Sequence, residues 1–127
     1  MAEGDLQVLL RTMEPVLHPH PYGYAVWAGG ALSIRPFATV AEAEGLTVVA
    51  LLAELQAAGL GSEPWARISL TVHSDLAAVG LTASFATALG AEGISCNVIA
   101  GYHHDHLFVQ WDRREDALAA LGRLSNV

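Results

Sequence analysis

Alternation over residues 67–72 constrains this chain more than any other feature. Ile68, Leu70 and Val72 fall on one side; Arg67, Ser69 and Thr71 fall on the other. Such a period of two belongs to a strand with one dry face and one wet face. His73, Ser74 and Asp75 make a polar break. Residues 76–89 then adopt a helical period, with Leu81, Phe85 and Leu89 spaced four apart. Gly93 is placed to stop that helix. Residues 94–100 alternate again, with Ile94, Cys96 and Val98 on one side. Residues 101–105 read as a turn and 107–111 as the returning strand of a hairpin. Asp112 and Glu115 have capping-box spacing before a last helix, in which Ala117, Leu118, Leu121 and Leu124 face inward. The order over 67–124 is β-α-β-β-α. That is the ferredoxin-like order less its final strand.

The first half has strands to spare. Asp5 can cap a helix carrying Leu6, Leu9, Leu10, Met13 and Leu17 at helical spacing. Pro15 weakens that helix, and the His18-Pro19-His20-Pro21 run ends it. Residues 24–28 read as a strand, 32–37 as extended chain, 38–45 as a connector and 46–50 as a short apolar strand. Residues 51–58 read as a helix that stops at Gly59. The expectation is an α+β fold of two interlocked halves, 1–64 (αββα) and 65–127 (βαββα). A first-half strand completes the second sheet, which is antiparallel with helices on one face.

Composition excludes several classes. Hydrophobic residues make up 53% of the 127 and charged residues 15%. A chain this apolar can bury a large core, and its sparsely charged surface invites self-association. The net charge is −7, with six bases against thirteen acids. An acidic chain without a basic cluster repels a phosphate backbone, so nucleic acid is not expected as a partner. It gains nothing from an anionic membrane surface either. The longest apolar run, 46–60, is broken by Glu54 and Gln56. The acidic start lacks the basic region of a signal peptide, and the one cysteine, Cys96, cannot form an internal disulfide. The cytoplasm is the expected compartment.

Residues 68–82 (ISLTVHSDLAAVGLT) and 93–109 (GISCNVIAGYHHDHLFV) resemble a bacterial family of stand-alone ACT domain proteins. Residues 13–17 (MEPVL) and 42–47 (EAEGLT) are also typical of it. Asp75 departs from the family pattern where a second serine is expected, and Gln110 where a proline is expected. The resemblance implies the ferredoxin-like βαββαβ ACT fold, pairing of two copies side by side, and often an amino acid held at the pair interface. Many ACT domains serve biosynthetic enzymes as feedback sensors.

Chemistry by residue type offers two candidate sites. A helix start presents unpaired N–H groups and a positive dipole end, which suit a carboxylate. Val79, Gly80, Leu81 and Thr82 supply that start; glycine permits close approach, and Thr82 adds a hydroxyl. Asp75 can pair with an amino group. The resemblance adds the second strand of the module, Cys96, Asn97, Val98 and Ile99, with Asn97 able to orient a polar group. The alternative for the same residues is ordinary capping by Ser74 or Asp75, with Gly80 as a packing glycine. The other candidate is His103, His104, Asp105 and His106, all zinc or nickel ligand types. Alternation puts His104 and His106 on one face, so His73 or the His18/His20 pair would have to join them. The alternative is a polar hairpin turn.

His73, Ser74 and Asp75 are consecutive, so they diverge and make no catalytic relay. No nucleophile elbow is present, no enzyme is expected and no cofactor is implied. Cys96 reads as a core residue, and Trp27, Trp65 and Trp111 as core or dimer contacts. The leading expectation is a non-catalytic, homodimeric domain that binds an amino acid or similar metabolite. A ligand-free dimerisation module is the second, and a metal-binding protein using the His103–His106 cluster the third.

Overall fold

The computed structural model describes residues 4–72 and 79–125. The chain divides into two compact units, Met1–His18 with Ala66–Val127, and Pro19–Trp65.

The first unit begins with α1 (Leu6–Thr12). The Asp5 carboxylate caps it, accepting from the Gln7 and Val8 amides at 2.9 and 3.3 Å. The helix stops at Thr12, five residues short of the expected Leu17. Pro15 explains the difference: a proline disfavours helical backbone in the residue before it. The chain instead extends into β1 (Pro15–Leu17), which pairs antiparallel with β5 (Trp65–Leu70), Pro15 opposite Leu70 and Leu17 opposite Ile68. From β5 the chain reaches α3 (Leu81–Ala91), β6 (Asn97–Ala100), β7 (Asp105–Gln110), a 3-10 turn (Trp111–Arg113) and α4 (Arg114–Leu124). The strand order is β1-β5-β7-β6. β1 therefore occupies the edge that a fourth strand takes in a ferredoxin-like sheet.

The core of this unit lies between the sheet and its helices. Ile68 and Leu70 from β5 and Leu107 and Val109 from β7 meet Leu9 of α1, Phe85 and Leu89 of α3, and Ala117 and Leu121 of α4. Each is no more than 1% exposed. Alternation then sends Arg67, Ser69 and His106 to the opposite face. Two helix starts differ from expectation. Residues 79 and 80 are not helical, and α3 begins at Leu81 because Gly80 has φ +99°, which no right-handed helix accepts. The Asp112–Glu115 capping box does not form: α4 follows Arg113 with no side-chain cap, since Asp112 lies inside the 3-10 turn.

The second unit holds β2 (Tyr22–Trp27), β3 (Ala38–Glu42), β4 (Gly45–Leu51) and α2 (Leu52–Ala57), with strands in the order β3-β4-β2. Residues 38–42, expected to be a connector, form a strand, with Thr39 opposite Val48 and Val40 opposite Thr47. β-Branched Thr39 and Val40 suit a pleated surface. Residues 32–37 stay irregular, although the Phe37 amide donates to the Val49 carbonyl at 2.7 Å. Val48, Ala50 and Leu55 form the dry centre. Gly23 is required there: a Cβ would lie 2.6 Å from Ser62 Oγ and 2.8 Å from Leu55 Cδ1. No helix among the described residues is long and apolar enough to cross a membrane.

Candidate functional site: the α3 start, the edge strand β6 and a histidine–serine chain

The stretch of sequence before α3 carries the first candidate. Asp75, with His73, Ser74 and residues 76–78, lies outside the described residues. Val79 is 83% exposed. At Gly80 a Cβ would stand 2.9 Å from Leu6 Cδ2, so the close approach that glycine permits is made by α1. The Gly80 carbonyl accepts from both the amide and the hydroxyl of Ser84, at 2.9 and 2.8 Å. Among the described residues, no side chain caps α3. The Leu81 side chain belongs to the core at 4% exposure. Thr82 is exposed.

Residues 96–99 divide. A crossover helix carries the chain back along its sheet, so β6 starts at the end where α3 finishes. Cys96 and Asn97 stand at that far end; Val98 and Ile99 lie further along β6. Cys96 and Val98 pack against the core, and burial pushes the Cys96 thiol pKa up, away from a reactive thiolate. Asn97 Nδ2 donates to the Phe108 carbonyl at 3.4 Å. Beyond Ile99 the β6–β7 turn closes through the Gly101 amide and the His104 carbonyl at 2.9 Å. His104 Nδ1 sits 3.1 Å from the Val72 carbonyl, just past the end of β5. The turn thus stands where the chain leaves β5 for α3. Val79, Gly80 and Thr82 share that end with Ile99, whereas Cys96 and Asn97 lie away from it. Gln110, unusual in the sequence, accepts from the Ser95 amide at 2.9 Å and holds the approach to β6.

The histidines are arranged differently from a metal site. Among the described residues, no three His, Cys, Asp or Glu side chains converge to hold an ion. His106 Nδ1 lies 2.7 Å from Ser69 Oγ, and His18 Nε2 lies 3.0 Å from the same oxygen. The Arg67 guanidinium stands 3.5 Å from His106 Nδ1. This chain ties the residue just past β1 to β5 and β7 on the sheet face away from the helices. Burial, then Arg67, His104 and His18, lower the His106 pKa to about 4. Burial and Arg67 lower that of His18. The Asp105 carboxyl is raised by burial, against the pull of His104. Sequence reasoning named His18 and His106 but not Ser69 or Arg67. The signal was present, because alternation already put Arg67 and Ser69 on one face of β5.

A split-crossover sheet of this order, with helices on one face, defines a small α+β domain of ferredoxin-like form. The chain belongs to the ACT domain family, whose models match residues 1–67 and 61–123. No curated protein matches it. A solved Vibrio cholerae protein of unknown function, called a possible transport protein, is 48% identical, with TM-score 0.85 over 94% of this chain and 95% of that one. A protein from Agrobacterium tumefaciens is 18% identical, with TM-score 0.75 over 89% of each chain. The ligand-free regulatory subunit of aspartate kinase from Thermus thermophilus is 10% identical, with TM-score 0.60 over 90% of this chain and 98% of that one. The α+β fold with two ACT-like halves therefore stands. So does the coarse class, a regulatory ligand-binding domain.

Proposed function

We propose that this chain is a non-catalytic sensor that binds an amino acid as a cytoplasmic homodimer, with ACT-like halves at 1–64 and 65–127. What supports the reading is topology, which puts two backbone segments at one end of an ACT sheet. Val79 to Thr82 open α3 there, and Ile99 to Gly101 end the edge strand β6. The ligand carboxylate meets the first amides of α3, whose N-cap, Gly80, brings no side chain of its own to them. Its amino group meets carbonyls of β6 near Ile99, with Asp75 as a further partner. Cys96, Asn97 and Val98 act as supports of that strand. The aspartate kinase regulatory subunits, similar in fold, favour a feedback role.

A ligand-free dimerisation module is the second reading. Val79 at 83% and Tyr102 at 76% exposure border this same end, and exposed apolar side chains there suit a covering partner. A thermal-shift screen of the common amino acids separates the two. Ligand at 100 times its dissociation constant adds about 2.7 kcal/mol of stability. A flat response to every amino acid supports the ligand-free module.

A further inference from the structure

We infer that His18, Ser69 and His106, with Arg67 beside them, form a proton-operated latch across β1, β5 and β7, and that acid opens it and frees the β6–β7 turn.

The direction of each bond follows from Arg67. A guanidinium only donates. It stands 3.5 Å from His106 Nδ1, and Ser69 Oγ stands 2.7 Å from the same atom. That nitrogen therefore carries the lone pair, and the ring proton sits on Nε2. The Ser69 hydroxyl donates to His106. Its oxygen is then open to His18 Nε2–H at 3.0 Å. The chain runs one way: His18 to Ser69 to His106.

A proton on His106 Nδ1 reverses the last link. Two ring donors then converge on one hydroxyl unless His18 moves its own proton to Nδ1 and accepts, so the His18 link must break or reverse as well. The new imidazolium also faces Arg67. Among the described residues, the groups whose charge acts on His106 are all basic: His18 just past β1, Arg67 from β5, and His104 from the turn before β7. Asp105 gives no relief, because alternation turns it toward the Leu107 side of β7. His104 behaves differently. Its Nδ1 donates to the Val72 carbonyl, and a second ring proton leaves that bond intact. Acid therefore strikes the Ser69–His106 link and spares the His104 tie.

His106 is the second residue of β7, two positions past the turn that begins at Gly101. A Cβ at Gly101 would fall 2.8 Å from the His104 carbonyl and 3.5 Å from His106 Nε2, so turn and ring are packed as one piece. Loosening His106 loosens the Ile99–Gly101 border of the proposed ligand site. That consequence rests on the amino-acid reading above, whereas the latch itself does not.

Nitrogen-15 spectra of the imidazoles, recorded on the ligand-free full chain from pH 8 to pH 4, test the latch. We expect His106 to stay neutral through pH 6 with its proton on Nε2. As it protonates, amide-exchange protection at Gly101 and His18 should fall at least tenfold, after correction for intrinsic rates. His106→Gln, and separately Ser69→Ala, should remove this acid-dependent step while keeping the neutral-pH spectrum of the core. Titration of His106 near 6.5, a proton on Nδ1 at neutral pH, or the same loosening in both variants would overturn the inference. An amino acid found to bind should lose about twofold in affinity at pH 4, where about half of His106 is protonated, in the wild type but not in His106→Gln. A latch that titrates as described in a protein that binds no amino acid refutes the ligand reading alone.

Discussion

One substitution made at two positions of α3 should change stability in opposite directions. Gly80 opens the helix at φ +99°, whereas Gly90 lies exposed in its last turn, where an added Cβ would meet nothing within 4 Å. Gly80→Ala forces an L residue into left-handed backbone, which costs about 1–3 kcal/mol. The new methyl also meets Leu6 Cδ2 at 2.9 Å, but that is the tip of a flexible side chain and can turn aside. A less flexible unfolded chain returns about 0.4–1 kcal/mol. The net expectation is a loss of about 1–2 kcal/mol. Gly90→Ala gains the helix preference with no clash, about 0.5–1 kcal/mol. Urea unfolding at one fixed protein concentration reads both changes as shifts in midpoint at constant slope. Gly80→Ala as stable as the wild type would refute the reasoning. It would mean that helix runs through residue 80, as periodicity alone suggests.

Three further changes follow from the same geometry. Phe85 is 0% exposed at the centre of the first unit, so Phe85→Ala should cost about 3–5 kcal/mol by denaturant unfolding. Asp5→Ala removes the cap on α1 and should cost about 0.5–2 kcal/mol, seen as faster amide exchange at Gln7 and Val8. Stability should also fall in acid. His18 and His106 bind protons less readily when folded than when unfolded, so the unfolded chain gains protons first as pH drops. The loss begins near the ordinary value of 6.5 and is complete as pH passes below about 4 for His106. Solvent screening of these half-exposed rings holds its size to on the order of 1–2 kcal/mol. Above pH 7 both rings are neutral in either state and the curve should be flat with respect to them.

The second half was legible because its signals agree. Alternation over 67–70 and the Leu81, Phe85, Leu89 spacing both survive in β5 and α3, although β5 ends two residues before Val72. The first half was not, because local and distant preferences conflict there. Leu6 to Leu17 keeps helical spacing, yet Pro15 breaks the helix, and the residues that remain find a partner more than fifty positions away in β5. β3 was missed for a related reason. Four of its five residues are exposed, so it carries no alternation between dry and wet, and only pairing with β4 defines it. The site divides likewise. Gly80 was singled out correctly as a place of close approach, but the approaching group is Leu6. Cys96 to Ile99 reads as one unit in sequence, while in the fold Cys96 stands before β6 and Ile99 lies near its far end. The Ser69 link between His18 and His106 needed the register of β1 on β5, which no local pattern contains.

Amide chemical shifts, followed while each common amino acid is added, test the central claim most directly. The account predicts that one chemical class of amino acid moves the amides of Val79 to Thr82 and of Ile99 to Gly101, saturably and together. It is contradicted if no amino acid moves them, or if the saturable shifts fall within Pro19–Trp65 instead.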